Sequence, residues 1–332
     1  MRITILFGGT NKERLVSVAS AQALHSALPE ADLWFWDVGD SVHETRSEEL
    51  LGHARPFQDP FKPAAAGLRG IEAALDRAKA ENRLLVLGMH GGMAENGELQ
   101  AMCELRAIAF TGSGSASSHL AFDKVAAKRF AAIAGVHGPA GVALEDIEAA
   151  FAEYGRLVAK PARDGSSYGL IFVNAKQDLV AVRNAARTEE YVIEPFITGP
   201  EATCGVLEQL DGSLIALPPI EIIPAAGVFD YEAKYIAKAT QEICPGRFAP
   251  DITAQIMDRA VRAHRALSCS GYSRTDFIVS AKGPIYLETN TLPGLTKTSL
   301  YPKALKAQGI EFADFLRDQI ALAQRRAQPP GQ

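Results

Sequence analysis

Three short apolar runs constrain the fold most, because each one ends in glycine. Ile3–Phe7 runs into Gly8-Gly9-Thr10, residues 84–90 (LLVLGMH) run into Gly91-Gly92, and residues 107–112 (AIAFTG) close on Gly112. Between the first two, residues 13–28 carry Leu15, Val18, Ala19, Gln22 and Leu24 near helical spacing. Short apolar strands alternating with helices build a parallel α/β sheet, whose ligand loops lie at the strand C-termini. A Pro-rich stretch, 56–67, interrupts this region and reads as an irregular surface loop.

The texture then changes. A helix is expected over 122–133, with Phe122, Ala126, Phe130 and Ile133 on one face. Strands follow at 157–162, 170–173, 191–196, 202–208, 214–223, 274–280 and 284–290. Asp251 reads as the N-cap of a helix carrying Ile252, Ile256, Ala260, Ala263 and Leu267, and a last helix carries Phe312, Phe315, Leu316 and Ile320. No internal repeat is present. The expected class is α/β and α+β, with three domains over 1–112, 113–198 and 199–332.

The strongest chemistry lies between Arg274 and Asn290. A hairpin symmetric about Lys282 sets Asp276 opposite Glu288 and Arg274 opposite Asn290, sharing a face with Ile278 and Tyr286. Phe277, Val279, Ile285 and Leu287 then form the core face. Facing carboxylates repel, and a hard cation between them, with the Asn290 carbonyl as a third oxygen, removes the conflict. Mg²⁺ fits such a site. The same spacing also fits a polar face turned to water.

Lys160 stands in an otherwise apolar strand, followed by residues 162–169 (ARDGSSYG), whose backbone N–H groups suit phosphate oxygens. Lys234 lies between aromatics, and Lys124 stands at a helix start. Each also reads as an ordinary solvated or snorkelling lysine; together with the hairpin they point to a nucleotide triphosphate with Mg²⁺. A Walker A loop, G-x-x-x-x-G-K-[ST], is absent, and residues 112–117 (GSGSAS) lack the third glycine of a dinucleotide loop. The nucleophile elbow G-x-S-x-G is absent too.

Composition excludes further classes. The net charge is −5, without the basic excess of a nucleic-acid binder. No apolar run approaches the roughly 18 residues of a membrane span. Four scattered cysteines (Cys103, Cys204, Cys244, Cys269) show no metal spacing and suit a reducing compartment, so a soluble, cytoplasmic protein is expected.

Eight ordered segments carry a resemblance: residues 7–17, 90–100, 110–113, 158–169, 229–235, 244–246, 274–277 and 287–300. In that order they resemble the D-alanine–D-alanine ligases of the ATP-grasp superfamily, over nearly the whole chain. The resemblance implies an ATP-grasp fold preceded by a parallel α/β domain, with ATP held between the central and C-terminal domains. It implies phosphate contacts from Lys124, Lys160 and Lys234, an adenine hinge at Glu194, Pro195, Phe196 and Ile197, and ribose binding by Glu201. Asp276, Glu288 and Asn290 match the Mg²⁺ ligands (two ions, replaceable by Mn²⁺). Glu13 would take the first ammonium, with His90 also at the amino-acid site. Arg274 and the Gly294 amide would face the oxyanion, and Ser299 and Leu300 the second carboxylate.

Tyr235, Ser166 and Glu13 match a set typical of dipeptide-forming rather than depsipeptide-forming members. The implied reaction joins two D-alanines through an acyl phosphate, supplying peptidoglycan precursors. Loop 163–169 and the segment near Tyr235 are the expected covers, and a homodimer is the expected assembly. Ala94 and Asn96 depart from the family's H-G-x-x-G-E-D-G pattern, which leaves a relative joining other amino acids as the alternative.

Overall fold

The computed structural model describes residues 1–165, 168–223 and 240–327. Its first sheet has the order β4-β3-β2-β1-β5-β6, from β1 (Arg2–Gly8), β2 (Asp32–Trp36), β3 (Ser41–Thr45), β4 (Leu68–Arg69), β5 (Arg83–Leu87) and β6 (Ala109–Phe110). Strands β1, β2, β5 and β6 pair in parallel, while β3 and β4 add an antiparallel edge. Ile5, Leu6, Phe7 and Leu84–Leu87 are fully buried, as strands covered on both faces must be. The chain leaves β1 toward β2 and later returns to β1's other side as β5. That reversal opens a crevice beyond the C-terminal ends of β1 and β5, where ligands bind in open α/β sheets. It confirms the parallel α/β reading of this region.

The glycine endings have a steric reason. Gly8 has φ +95°, and a Cβ there would lie 2.3 Å from the Trp36 carbonyl. Ser17, on helix Arg14–Ala27, then ties both strand ends together: its hydroxyl accepts from Gly8 N (2.8 Å) and donates to the Gly88 carbonyl (2.8 Å).

Strands β2, β3 and β4 were outside the sequence expectation. Residues 32–36 (DLWFW) form a buried parallel strand with no alternation, so they carry no period-2 signal. The Pro-rich stretch is irregular, as expected, but is not wholly at the surface. Phe61 is buried against Phe7, Phe35 and His53, with ring centroids 5.9, 5.0 and 5.4 Å away.

A second sheet, β8-β7-β9, contains β7 (Leu157–Pro161), β8 (Ile171–Val173) and β9 (Tyr191–Pro195). The third has the order β13-β12-β10-β14-β15, with β11 on β10: β10 (Glu201–Glu208), β11 (Leu214–Ala216), β12 (Ile220–Ile223), β13 (Gln241–Ile243), β14 (Tyr272–Ser280) and β15 (Gly283–Asn290). The expected strand 214–223 is therefore two strands.

The helix expected over 122–133 is broken. Helix Ser115–Phe122 stops at Asp123, whose backbone is extended (φ −81°, ψ 101°). Its carboxylate caps the next helix, Lys124–Ile133, by accepting from Val125 N and Ala126 N. The buried face of that helix is Lys124, Ala127 and Ala131, whereas Phe130 and Ile133 are exposed. Helix Pro250–Ala266 starts one residue before Asp251, so Asp251 is in the first turn and Ala249 is the cap. Ile256, Ala260, Ala263 and Leu267 are buried as expected. Helix Phe312–Ala327 buries Phe315, Leu316 and Ile320. Among the described residues, no helix is long and apolar enough to cross a membrane.

Candidate functional site

The hairpin β14–β15 places the carboxylates. Arg274 pairs with Asn290 and Asp276 with Glu288, as the symmetry about Lys282 predicts. The turn is nevertheless tighter, closing between Ser280 and Gly283, and it pairs Phe277 with Tyr286 and Ile278 with Ile285. A bulge between Asp276 and Phe277 absorbs Leu287 as the extra residue, and only beyond it does the expected register appear. The bulge also corrects the expected faces. Tyr286, expected on the carboxylate face, is fully buried edge-on to Phe277 (6.4 Å, 77°), and Leu287, expected in the core, joins Ile278 in lining a cavity.

Two cavities flank this hairpin. The larger, about 340 Å³, lies between the second and third sheets, and its apolar walls are Val158, Phe172, Phe196, Ile197, Ile278 and Leu287. Lys160, Glu194, Pro195, Glu201 and Asp276 also line it, so the hinge, ribose and phosphate candidates come together. Glu194 is almost wholly buried; Lys160 Nζ stands 3.5 Å from it, and Lys128 donates to its other oxygen. Burial pushes the Lys160 ammonium down to about 8, opposed by the Glu288 carboxylate. Burial and the neighbouring Lys160 cation push Lys128 down to about 6. Sequence reasoning missed Lys128, although its i,i+4 spacing from Lys124 puts both on one helix face. Lysines lowered by burial and mutual repulsion are stabilised when polyphosphate approaches; Lys160 lines the cavity, and Lys128 stands against Glu194, which also lines it.

The smaller cavity, about 170 Å³, is lined by charge. Glu13 precedes helix Arg14–Ala27 without capping it, and it lines the cavity. It passes between two glycine backbones: a Cβ on Gly91 would lie 2.9 Å from Glu13 Oε1, and one on Gly165 3.2 Å away. Asn11 secures this corner by donating to the His90 and Gly91 carbonyls (2.9 and 3.0 Å) and accepting from Glu13 N (2.7 Å). Beside Glu13 stands buried Glu95. Burial, with the Glu13 carboxylate close by, raises the Glu95 carboxyl to about 8. Glu95 was not among the expected site residues, though it survives in the glycine-rich motif.

His90 lines the cavity, but its ring is engaged. Nε2 and Ser20 Oγ are 2.7 Å apart, and Nδ1 lies 3.2 Å from the Leu292 carbonyl. Burial lowers His90 to about 4, so it is neutral and bolts the first sheet's crevice to the loop after β15. On the far wall, Arg274 grips Asp276 through two parallel bonds, Nε–Oδ1 at 3.0 Å and Nη2–Oδ2 at 2.9 Å. Asn290 Oδ1 accepts from Leu292 N (2.7 Å). Gly294 approaches Ser299 so closely that a Cβ would lie 2.8 Å from Oγ. Ser299 precedes helix Leu300–Ala307, whose first N–H groups face an anion readily.

The two cavities share four lining residues: Lys124, Asp164, Gly165 and Glu288. Lys124 Nζ donates to the Asp164 carbonyl and lies 3.8 Å from Glu288. Every expected site residue among the described ones lines one cavity or both. Ser166, Lys234 and Tyr235 lie outside the described residues, as does the expected cover near Tyr235.

The carboxylates, carboxamide and adjacent lysines suit a magnesium–polyphosphate complex. Asp276, Glu288 and Asn290 supply hard oxygen donors. Among the described residues no three His, Cys, Asp or Glu side chains cluster as a metal site, so such a site would depend on the Asn290 amide oxygen as well.

Comparison with known proteins agrees with this arrangement. The family model described as D-ala D-ala ligase N-terminus matches residues 2–113, and that described as D-ala D-ala ligase C-terminus matches residues 144–321. A D-alanine--D-alanine ligase of Halalkalibacterium halodurans is 34% identical over 98% of this chain and 100% of its own length. One from Desulforudis audaxviator is 36% identical, over 98% and 99%. Among solved structures, the VanG D-Ala:D-Ser ligase from Enterococcus faecalis superposes with TM-score 0.77 at 29% identity, covering 97% of this chain and 99% of that one. The Bacillus anthracis D-alanine--D-alanine ligase complexed with ATP gives 0.74 at 26% identity, covering 98% of each. Full-length relatives and both domain models converge: the chain is a carboxylate–amine ligase with the ATP-grasp fold and belongs to the D-alanine–D-alanine ligase family.

Proposed function

We propose that this enzyme joins two D-alanines to D-alanyl-D-alanine at the expense of ATP, for peptidoglycan precursor synthesis. The observation that carries the reading is the shared wall: an apolar slot meets a charged chamber at Lys124 and Glu288. Adenine fits the slot beside Glu194–Ile197, and Glu201 meets the ribose. The triphosphate then runs along Lys160 toward Lys124. Bound at Asp276, Glu288 and Asn290, Mg²⁺ would neutralise the phosphate oxygens and polarise the transferring group.

In the chamber, Glu13 holds the ammonium of the first D-alanine, turning its carboxylate toward the wall. That carboxylate attacks the γ-phosphorus, ADP leaves, and an acyl phosphate results. The amine of the second D-alanine attacks the acyl carbon, and phosphate departs. The chain supplies position and countercharge throughout. Arg274 and the Gly294 amide face the developing oxyanion, while Ser299 and the N-terminus at Leu300 hold the second carboxylate. Arg274 is already aimed by its bidentate grip on Asp276.

Phosphate release from ATP, with D-alanine, D-serine, D-lactate and L-alanine offered singly and in pairs, tests the reading. D-Alanine alone should support turnover and yield the dipeptide. Preference for another pair would overturn the substrate assignment.

A further inference from the structure

The Pro-rich stretch has no role in the chemistry above, yet it reaches the amino-acid chamber. Phe57 lines that cavity together with Glu13, His90, Arg274, Ser299 and Leu300. The segment is held on both sides. Gln58 N and Asp59 N both donate to the Arg55 carbonyl (3.0 and 2.9 Å), and Arg55 pairs with Asp59 at 2.8 Å. His53 Nε2 bonds the Asp59 carbonyl (3.0 Å), and Gln22 Nε2 donates to the His53 carbonyl (2.8 Å). Phe61, four residues on, is anchored in the aromatic core of the first sheet. The half-exposed Phe57 ring is therefore carried on a fixed arm.

Charged groups of this chamber can recognise an ammonium or a carboxylate, but those groups are common to all amino acids. Only an apolar wall measures the side chain, and here that wall is Phe57 together with Ala121, Phe122 and Leu300, of which only Phe57 comes from the Pro-rich stretch. We propose that Phe57 is a specificity-determining residue, an aromatic wall limiting the side-chain size of the amino acids the chamber accepts. The inference rests on the dipeptide-forming function above. A wall of this kind discriminates against added methylenes, by about 10–200-fold each, and discriminates weakly against a hydroxyl of the same size. Phe57 should accordingly exclude D-2-aminobutyrate and D-valine far more than D-serine.

The test compares wild type, Phe57→Ala and Phe57→Leu, offering D-alanine with D-valine or D-2-aminobutyrate and measuring kcat/KM and the dipeptides formed by mass spectrometry. In F57A the D-valine to D-alanine ratio should rise at least about tenfold, and in F57L it should stay within about threefold of wild type. Melting curves establish that the variants are folded, and F57V carries the same comparison should F57A melt early. A wild type that forms dipeptide while F57A and F57V leave the ratio within about twofold overturns the inference alone. A wild type that forms no dipeptide overturns the function and this inference with it.

Discussion

The two cavities are built on opposite principles although they share a wall. The slot proposed for the nucleotide has apolar walls formed by side chains of two sheets, and its charged lining pairs Lys124 and Lys160 with the carboxylates Asp164, Glu194, Glu201, Asp276 and Glu288. The chamber proposed for the amino acids is lined by carboxylates, Arg274 and hydroxyls from β14, β15 and the loops beside them, with Phe57, Ala121, Phe122 and Leu300 as its apolar part. In the proposed function the slot gains affinity by removing a flat base from water, whereas the chamber must fix charged groups and leave room for a reaction. Apolar burial tolerates small errors of position; charge alignment does not. That explains why the chamber is cross-braced by Ser17, Asn11 and His90, which hold backbone from distant parts of the chain.

If the cavities are separate functions joined at one wall, substitutions should sort by location. Glu288 belongs to both. Glu288→Gln should lower kcat by about 10³-fold, the equivalent of roughly 4 kcal/mol of lost transition-state stabilisation. Its steady-state rate with saturating ATP and D-alanine checks this, and near-normal turnover would refute the metal assignment. One-sided substitutions should give smaller, one-sided effects. Lys160→Met should raise KM for ATP by about 10–100-fold and leave that for D-alanine within about twofold; Glu13→Gln should do the reverse. Equal changes in both constants from either variant would break the division.

The third effect is on stability. Because the folded-state value of Glu95 is raised to about 8 from 4.5, its proton is held more tightly in the native chain. The stability it contributes is full below about pH 4.5 and is lost as pH rises through about 8. Glu95→Gln should therefore match wild type near pH 4.5 and become progressively the more stable protein toward pH 8. Urea titrations across that range read the difference, and a constant gap would contradict it.

The chamber and the slot were not equally legible in the sequence. Asp276, Glu288, Asn290 and Arg274 were readable because a hairpin converts spacing into adjacency. The bulge at Leu287 was not readable, since both registers alternate equally well until packing chooses Phe277 and Tyr286 for the core. Helix 122–133 was misread because Phe130 and Ile133 keep helical spacing with the apolar set; the cap at Asp123 instead turns Lys124 inward. Lys128 was missed for the same reason, being a lysine on what looked like a solvated face. Phe57 gave no signal, because its position depends on Phe61 entering a core assembled from other strands.

The central claim is that the two cavities meet so that a carboxylate in the chamber reaches the γ-phosphorus in the slot. Isotope transfer tests it directly. With D-alanine labelled with ¹⁸O in its carboxyl group, attack on ATP and later loss of phosphate should carry one labelled oxygen into each phosphate released. Mass spectrometry of that phosphate reads the outcome. Label in the phosphate, formed in step with dipeptide, is the result predicted. Dipeptide accompanied by unlabelled phosphate would contradict the shared wall as the place of reaction.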